Sequence, residues 1–352
     1  MYRTLCCMCA AVAFSASALA ATAQDLSKTN LKVSGGNRTQ NMFKYIQEPF
    51  FNEQLTKDSG GAITTNFSSL DDLGLQGPEV LRLLQLGMFD ISEGTLSYMA
   101  GEDPHFDALD LPGLTADIDV QRKVADAYRP TLAKIFEDKF KVHLLSMSPI
   151  ALQVIYCKGD IKGLSDLKGK TVRTYNRGMA DLVVAAGAAT VNIPFAEVVP
   201  AMQRGVADCA VTATSAGNTA RWWEVTDSLV AVPMGWATTF FAANLANWNK
   251  LDPSTQAFLT KEFAEMEDRQ WQQAASDIQD GINCNTGMGE CKNGIPAEKK
   301  MKLVELTAAD AGEAKTIAGG VLKGWAERCG ADCVADWNQK VGSILGVEAP
   351  MP

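Results

Sequence analysis

The sequence predicts an α/β protein made of two similarly built lobes with a ligand cleft between them. The chain has 352 residues, of which 47% are hydrophobic, so it is long enough for two domains that each bury a core. Short β-rich runs alternate with helical patterns, which is typical of helices packed on a largely parallel sheet. One spacing motif also occurs in both halves of the chain. Ligands of open α/β sheets bind beyond the carboxyl ends of the strands, and two such ends facing each other form a cleft.

The N-terminus has the pattern of a secretory signal peptide over residues 1–23. Arg3 precedes an apolar and small-residue stretch that runs from Leu5 to Ala23 and is followed by the polar Gln24. Small residues alternate at its end, so we expect cleavage after Ala23. The alternative is an uncleaved anchor helix, because about 20 apolar residues span a bilayer.

The first half of the mature chain predicts three strands with two helices between them. Each helix follows a strand and a glycine-bearing turn, and the second helix has proline at its start and glycine at its end. In chain order we expect strand Leu31–Val33, turn Ser34–Asn37, a helix with Phe43, Ile46 and Phe50 on one face, strand Ala62–Phe67, a helix from Gly77 to Gly87, and a strand that starts at Phe89.

A spacing motif in the first half reappears in the second half. Glu, Val, Gln, Gly and Asp occur at relative positions 0, 1, 6, 8 and 11, and each copy predicts a helix, a glycine cap and a strand. Each strand ends in small and polar residues, Ser92–Thr95 in one half and Thr212–Ser215 in the other. The two halves therefore predict equivalent strand ends that face one cleft. The paired positions are Glu79 and Glu197, Val80 and Val198, Gln85 and Gln203, Gly87 and Gly205, and Asp90 and Asp208.

The second half predicts two crossings between lobes and a long helix. The crossings are expected at Met147–Gly159 and near Met234–Trp236, and the long helix runs from the Asp252 and Pro253 pair to about Asp280. A stapled loop is expected over Gly281–Gly294 and a last helical region over Ala297 to about Arg328. These elements divide the mature chain into lobe I, residues 24–149 plus 236–278, and lobe II, residues 150–235 plus 279–352.

Composition excludes several classes of function. Lys and Arg total 32 against 41 Asp and Glu, a formal charge of −9, which argues against nucleic acid as a partner. Only His105 and His143 are present, too few for a histidine-rich metal site or a serine–histidine triad. No phosphate-binding, nucleophile-elbow or zinc-protease motif occurs, so we expect no catalytic residue, no metal and no cofactor.

Six cysteines follow the predicted signal peptide, and an even number in an exported chain favours disulfides. Two pairs are close in sequence, Cys284 with Cys291 and Cys329 with Cys333, and this leaves Cys157 and Cys209 for each other. The alternative for the last pair is two buried free thiols. A zinc site is less consistent with the irregular spacing.

Two residues stand out as candidates for ligand contact. Arg173 lies where a polar turn enters a short strand, and its guanidinium could hold a carboxylate with two parallel hydrogen bonds. A surface arginine at a strand end is the alternative. Phe195 precedes the repeated helix, where it could cover a ligand or simply pack at the helix start.

Aromatic residues cluster beside the second predicted crossing. Trp222, Trp223 and Trp236 could stack on the apolar body of a ligand near the hinge of the cleft. Core packing is the alternative for each of them.

Taken together, these motifs resemble the DctP-type solute-binding proteins of tripartite ATP-independent periplasmic (TRAP) transporters over essentially the whole mature chain. The resemblance implies a two-lobed periplasmic binding protein-like fold with a long lobe-connecting helix. The most specific stretches are residues 166–173, residues 194–198 with 203–208, and residues 224–226 with Asn244, and weaker support comes from residues 77–79 with Gly87 and Asp90 and from residues 109–112.

The resemblance also implies roles for individual residues. The arginine of this family's motif pairs with the ligand carboxylate, which implies that role for Arg173, and Phe195 matches the family's ligand-covering aromatic. Thr212 stands where the family often has asparagine. No second arginine lies between His143 and Arg173, and Gln153 occupies about that place. The expected ligand-binding residues are Arg173, Phe195, Thr212, Thr214, Trp236, Gln153, Asn37 and Glu93.

The resemblance implies a receptor that captures a small organic acid in the periplasm and delivers it to TRAP membrane permease subunits. Because the second arginine is missing, we expect a monocarboxylate with a less polar body, stacked on Trp236. An exported enzyme acting on a small acid is one alternative. A binding protein of an ATP-driven transporter or of a sensor is another.

Overall fold

A computed structural model describes residues 26–352. The signal peptide predicted over residues 1–23 lies outside the described residues. Over the described part, no helix is both long enough and apolar enough to cross a membrane. Two β-sheets with helices packed around them form the two lobes, as the sequence predicts.

The strands form one sheet of five and one of six. The five-stranded sheet has the order β2-β1-β3-β10-β4, and its strands are β1 Thr29–Ser34, β2 Ile63–Ser68, β3 Ile91–Thr95, β4 Val142–Pro149 and β10 Thr238–Asn244. The six-stranded sheet has the order β11-β9-β5-β8-β6-β7, and its strands are β5 Gln153–Cys157, β6 Thr171–Thr174, β7 Ala189–Asn192, β8 Cys209–Ala213, β9 Ser228–Val230 and β11 Lys302–Val304.

Both sheets are largely parallel, as the sequence predicts, but each contains one antiparallel strand that the sequence does not predict. β10 runs antiparallel to β3 and β4, and β5 runs antiparallel to β8 and β9. The reason is the two crossings between lobes. A strand that arrives from the other lobe enters the sheet at the cleft, in the direction opposite to the strands that end there.

The helices vary from single turns to 34 residues. The α-helices are α1 Leu55–Asp58, α2 Leu70–Leu73, α3 Val80–Gln85, α4 Ile118–Asp138, α5 Arg177–Ala185, α6 Val198–Gln203, α7 Thr214–Thr219, α8 Leu245–Trp248, α9 Pro253–Thr286, α10 Ala308–Cys329, α11 Ala331–Trp337 and α12 Ser343–Leu345. Wider π turns occur at Phe43–Gln47, Phe50–Gln54 and Asn338–Gly342, and 3-10 turns at Gly77–Glu79, Leu96–Met99, Pro104–Asp107, Leu164–Leu167, Phe195–Glu197 and Trp222–Glu224.

The long helix α9 begins as predicted and ends later than predicted. Asp252 caps its start by accepting a hydrogen bond from the backbone of Thr255. The predicted loop from Gly281 is helical up to Thr286. A β-carbon on Gly281 would lie 2.5 Å from the backbone of Ser215, so this glycine allows close packing of α9 on α7 and does not end the helix.

The predicted helix over Ala297–Arg328 is also wrong in its first part. Lys302–Val304 forms edge strand β11, which pairs in parallel with β9, and the helix begins only at Ala308. Thr307 and Asp310 form a capping box at that helix start. The pairing with β9 is a tertiary contact, so the local pattern could not show it.

All three predicted disulfides are present: Cys157 with Cys209, Cys284 with Cys291, and Cys329 with Cys333. The first joins directly paired residues of β5 and β8. The alternatives of free thiols or a zinc site are therefore wrong for these cysteines.

The C-terminal helices pack against the first part of the chain. The indole of Trp325 donates to the carbonyl of Pro104, and that of Trp337 donates to the carbonyl of Ala108. One hydrophobic core runs from α4 through both sheets to these helices. The lobe limits given above stay predictions.

Candidate functional site

A cavity of about 210 Å³ lies between the two sheets. One wall is formed by the end of β3 and the turn after β1, and the other by β6, β8 and the segment before α6. The cavity therefore lies where the carboxyl ends of strands from both lobes face each other, the location expected for a ligand of open α/β sheets.

Arg173 forms the charged part of the lobe II wall. Its side chain is 1% exposed, its Nε donates to the carbonyl of Ile193 at 2.7 Å, and its Nη1 donates to the carbonyl of Val211 at 2.8 Å. Nη2 is buried and has no hydrogen-bond partner among the described residues. Two nitrogens thus fix the guanidinium, and the third is available to an acceptor in the cavity.

The groups that contact Arg173 stabilise its positive charge but supply no opposite charge. The guanidinium lies 5.1 Å from the ring centre of Tyr175 and 6.0 Å from that of Trp222, distances typical of cation–π contacts. Burial lowers the pKa of Arg173, while the neighbouring hydroxyl groups of Tyr98 and Tyr175 act against this shift. Its direct bonds are all to neutral groups, so a bound carboxylate would supply the missing counter-charge.

Gln153 supports this wall. Its Oε1 accepts from the hydroxyl of Tyr175 at 3.0 Å, and its Nε2 donates to the carbonyl of Ala151 at 2.8 Å. Gln153 lines the cavity as expected, and it also fixes the ring that packs on Arg173.

Glu93 forms the polar part of the opposite wall, in lobe I. The side chain is 6% exposed and hydrogen-bonds to Gln47 and Thr239. Burial raises the pKa of Glu93 to about 7, and these two hydrogen bonds lower it only in part. Gly36 lies against this carboxyl group: a β-carbon at that position would be 2.2 Å from Oε2 of Glu93.

The mouth of the cavity is closed by residues of both lobes. Phe195 is half-buried, lines the cavity and packs on Trp222 with ring centres 5.4 Å apart. Across the mouth, Nε2 of Gln76 donates to Oε1 of Glu197 at 2.9 Å. This hydrogen bond joins the starts of the two repeated helices, so the structure has the closed arrangement of the lobes.

Six of the eight expected ligand-binding residues line the cavity: Arg173, Phe195, Thr212, Gln153, Asn37 and Glu93. Thr214 and Trp236 do not. β8 ends at Ala213, so Thr214 starts α7, and its hydroxyl donates to the carbonyl of Ile278 at 3.0 Å. Trp236 is buried in the hinge, where its indole donates to the carbonyl of Thr115 at 3.1 Å. The expected stacking of a ligand on Trp236 therefore has no support in the geometry.

Several cavity residues were missed in the sequence. Tyr175 lies two residues after Arg173, and period-two alternation placed it on the same side of the chain, so a signal existed. Tyr98 and Thr239 had none. Tyr98 lies in the 3-10 turn after β3, and Thr239 reaches the cavity because β10 pairs with β3 across about 145 residues of chain.

The sequence and fold match known proteins. Residues 35–326 match the family described as bacterial extracellular solute-binding protein, family 7, DctP. A curated relative, the uncharacterized protein YiiZ of Salmonella typhimurium, is 27% identical over 184 residues, half of this chain, and the chain spans about half (54%) of that relative's length.

Solved structures with the same fold cover the chain more fully. DctP7 of Bordetella pertussis, an extracytoplasmic solute receptor binding pyroglutamic acid, is 24% identical with a TM-score of 0.79 over 90% of this chain and 99% of its own. The periplasmic ectoine-binding protein of the TeaABC TRAP transporter from Halomonas elongata is 17% identical with a TM-score of 0.79, over 91% and 100%. A TRAP periplasmic solute-binding protein from Sulfitobacter with bound β-D-galacturonate is 16% identical with a TM-score of 0.78, over 89% and 100%.

Proposed function

Because the chain belongs to family 7 of the bacterial extracellular solute-binding proteins, the DctP family, we propose that it captures a small monocarboxylate in the periplasm and delivers it to a TRAP permease. Proteins of this family are solute receptors and not enzymes. The ligand class, the compartment and the permease are the parts of this statement that belong to the proposal.

The observation that carries the proposal is the free Nη2 of Arg173. A buried guanidinium nitrogen without a partner costs stability unless a ligand acceptor fills that position. The anchored guanidinium can donate to one ligand carboxylate and fix its orientation. In the closed cleft the attraction is strengthened because water is excluded, although desolvation of both charges opposes it.

The size and charge of the cavity favour a ligand with one carboxylate. About 210 Å³ is below the range of roughly 300–1,000 Å³ that holds drug-sized molecules. Arg173 is the one cationic side chain lining the described cavity, so a second carboxylate would have no charged partner there. Pyroglutamate, galacturonate and ectoine, which the similar receptors bind, each carry a single carboxyl group.

Delivery requires that the lobes open again, and the hinge contains backbone suited to this. Gly235 and Ala237, in the crossing between β9 and β10, have φ angles of 102° and 51°. A few such positions can absorb the dihedral change of a closing hinge. The three disulfides and the predicted signal peptide support an oxidising compartment such as the periplasm.

The test is a thermal-shift screen of the mature protein with pyroglutamate, galacturonate and ectoine, together with uncharged sugars as comparison compounds. A ligand that binds only the folded state raises the unfolding midpoint by mass action. We expect an acid to raise the midpoint of the wild-type protein and to have no effect on Arg173→Gln.

Two controls make the screen decisive. Arg177→Gln removes an exposed arginine that is paired with Asp181 outside the cavity, and it should keep the full shift. Circular dichroism of Arg173→Gln checks that the variant folds, because Arg173 also bonds two backbone carbonyls. A shift that persists in folded Arg173→Gln would contradict the assignment of Arg173, and a shift with sugars alone would contradict the ligand class.

A further inference from the structure

When a monocarboxylate is bound, the buried charges of the cavity balance only if Glu93 is neutral. Three lining side chains are ionisable at ordinary pH: Arg173, Glu93 and Asp71. Asp71 is exposed at the mouth, where it accepts a hydrogen bond from the backbone of Arg38 at 2.6 Å. A monocarboxylate bound to Arg173 cancels that charge, and an ionised Glu93 would then be a buried anion without a counter-ion.

The hydrogen bonds of Glu93 stabilise its ionised form only weakly. The hydroxyl of Thr239 also donates to the carbonyl of Ser148 at 3.0 Å, so its single proton serves two acceptors and offsets only part of the cost of burying Glu93 as an anion. Oε1 of Gln47 accepts from the backbone of Gly36 at 2.9 Å, which leaves the amide N–H groups of Gln47 to donate to Glu93.

No cation compensates Glu93 from the elements packed around it. Gln47 and Thr239, the side chains that hydrogen-bond to Glu93, are neutral, and Glu93 forms no ion pair with any of the described residues. On α9, Asp277 accepts hydrogen bonds from Asn41 and Gln273, and burial raises its pKa as well. Arg173 lies in the other lobe and is committed to the ligand in the proposed function.

Resting on the proposed capture of a carboxylate by Arg173, we propose that closure of the cleft over the ligand moves one proton from solvent to a carboxyl oxygen of Glu93. Capture of a monocarboxylate is then coupled to proton uptake, and no other bond changes. In the open cleft water solvates Glu93, whose ordinary pKa is about 4.3. Closure removes that water, so the neutral form is favoured below about pH 7.

The coupling also sets specificity. A second ligand carboxylate beside Glu93 would place two acids against each other without a cation, so dicarboxylates are disfavoured. A neutral amide or hydroxyl group can hydrogen-bond to the remaining lone pairs of Glu93. The site thus selects acids that have one carboxylate and a neutral polar group at the other end.

The direction of the pH dependence follows from the pKa of Glu93 in the two states. The bound-state pKa, about 7, is higher than that of the open state, so binding is strongest at low pH and is weakened as the pH rises through about 7. Between pH 6 and pH 8.5 the affinity of the wild-type protein should fall about tenfold.

The experiment is isothermal titration of the mature protein with pyroglutamate in phosphate and in Tris, two buffers with different ionisation enthalpies. The difference in heat gives the protons taken up per ligand, and we expect roughly half a proton at pH 7. Glu93→Gln, which is permanently neutral, should take up none and should bind more tightly than the wild type at pH 8.5. Glu48→Gln, an exposed acid beside Gln47, is the matched control.

The outcomes separate this inference from the proposed function. Binding that depends on Arg173 but shows no proton uptake, or a Glu93→Gln variant with the wild-type pH dependence, would contradict the proton coupling alone. If no binding of pyroglutamate, galacturonate or ectoine to the wild type is found, the proposed function fails and the coupling fails with it.

Discussion

For Arg173, local sequence predicts the role of the residue but does not predict the orientation of its side chain. The motif around it predicts its role, but its orientation depends on carbonyl groups 20 and 38 residues away. Such anchors arise from the packing of β6 beside β7 and β8, so the sequence indicates the residue and not its free nitrogen.

Replacing Arg173 by lysine keeps the charge but removes the planar fork. Lysine cannot bond Ile193, Val211 and a ligand at once, so we expect Arg173→Lys to lose about 1.5–3 kcal/mol of binding free energy. Calorimetry with the acid found in the screen measures this loss. Equal affinity of the lysine variant would show that charge alone, and not geometry, holds the ligand.

At Gly36, the absence of a β-carbon leaves room for the carboxyl group of Glu93. A methyl group there would meet Oε2 of Glu93 at 2.2 Å, so Gly36→Ala must displace the carboxyl group. We expect weaker ligand binding and a loss of the pH dependence, measured by the same titrations. Gly101→Ala, where a β-carbon meets nothing within 4 Å, should bind as the wild type does, and identical behaviour of both variants would refute this reading.

Among the helices and strands, local sequence patterns predicted most of the positions where helices begin but few of the pairings between strands. The capping residue Asp252 and the starts of the two repeated helices could be recognised in the sequence, because capping depends on residues that are close in the chain. Strand β11 and the antiparallel placement of β5 and β10 were not, because both depend on chain segments that meet only in the folded protein. Helix α4 was also missed, although Asp117 caps it.

The disulfide between β5 and β8 should matter more for stability than the one near the C-terminus. Cys157 and Cys209 are 52 residues apart, whereas Cys329 and Cys333 are 4 apart. Loop-closure entropy predicts a loss of about 4 kcal/mol for the Cys157→Ala and Cys209→Ala pair and about 2 kcal/mol for the Cys329→Ala and Cys333→Ala pair. Urea unfolding of both double variants measures the difference, and the reverse order would rule out this entropic account.

In the whole molecule, the two repeated helices meet across the cleft through the hydrogen bond between Gln76 and Glu197. The prediction of two lobes around a cleft followed from the repeated spacing motif, because each copy ends in a strand. The contact that joins the two copies was not predictable, since Gln76 and Glu197 are 121 residues apart.

Removing this contact should shorten the lifetime of the closed state. Gln76→Ala loses one exposed hydrogen bond, worth about 0.5–1.5 kcal/mol, so we expect ligand dissociation to be about 2–10 times faster. Stopped-flow tryptophan fluorescence measures the rate, and Gln272→Ala, on the exposed side of α9, is the control. An unchanged dissociation rate would mean that this hydrogen bond has no part in holding the lobes together.

The position of β10 has a consequence for how the protein is made. This strand lies between β3 and β4, yet it is contributed by residues 238–244, about 90 residues after β4 ends. A partly synthesised chain that ends before residue 238 therefore lacks an interior strand of its first sheet, the one on which β4 pairs. The five-stranded sheet is completed only when about two thirds of the polypeptide has emerged.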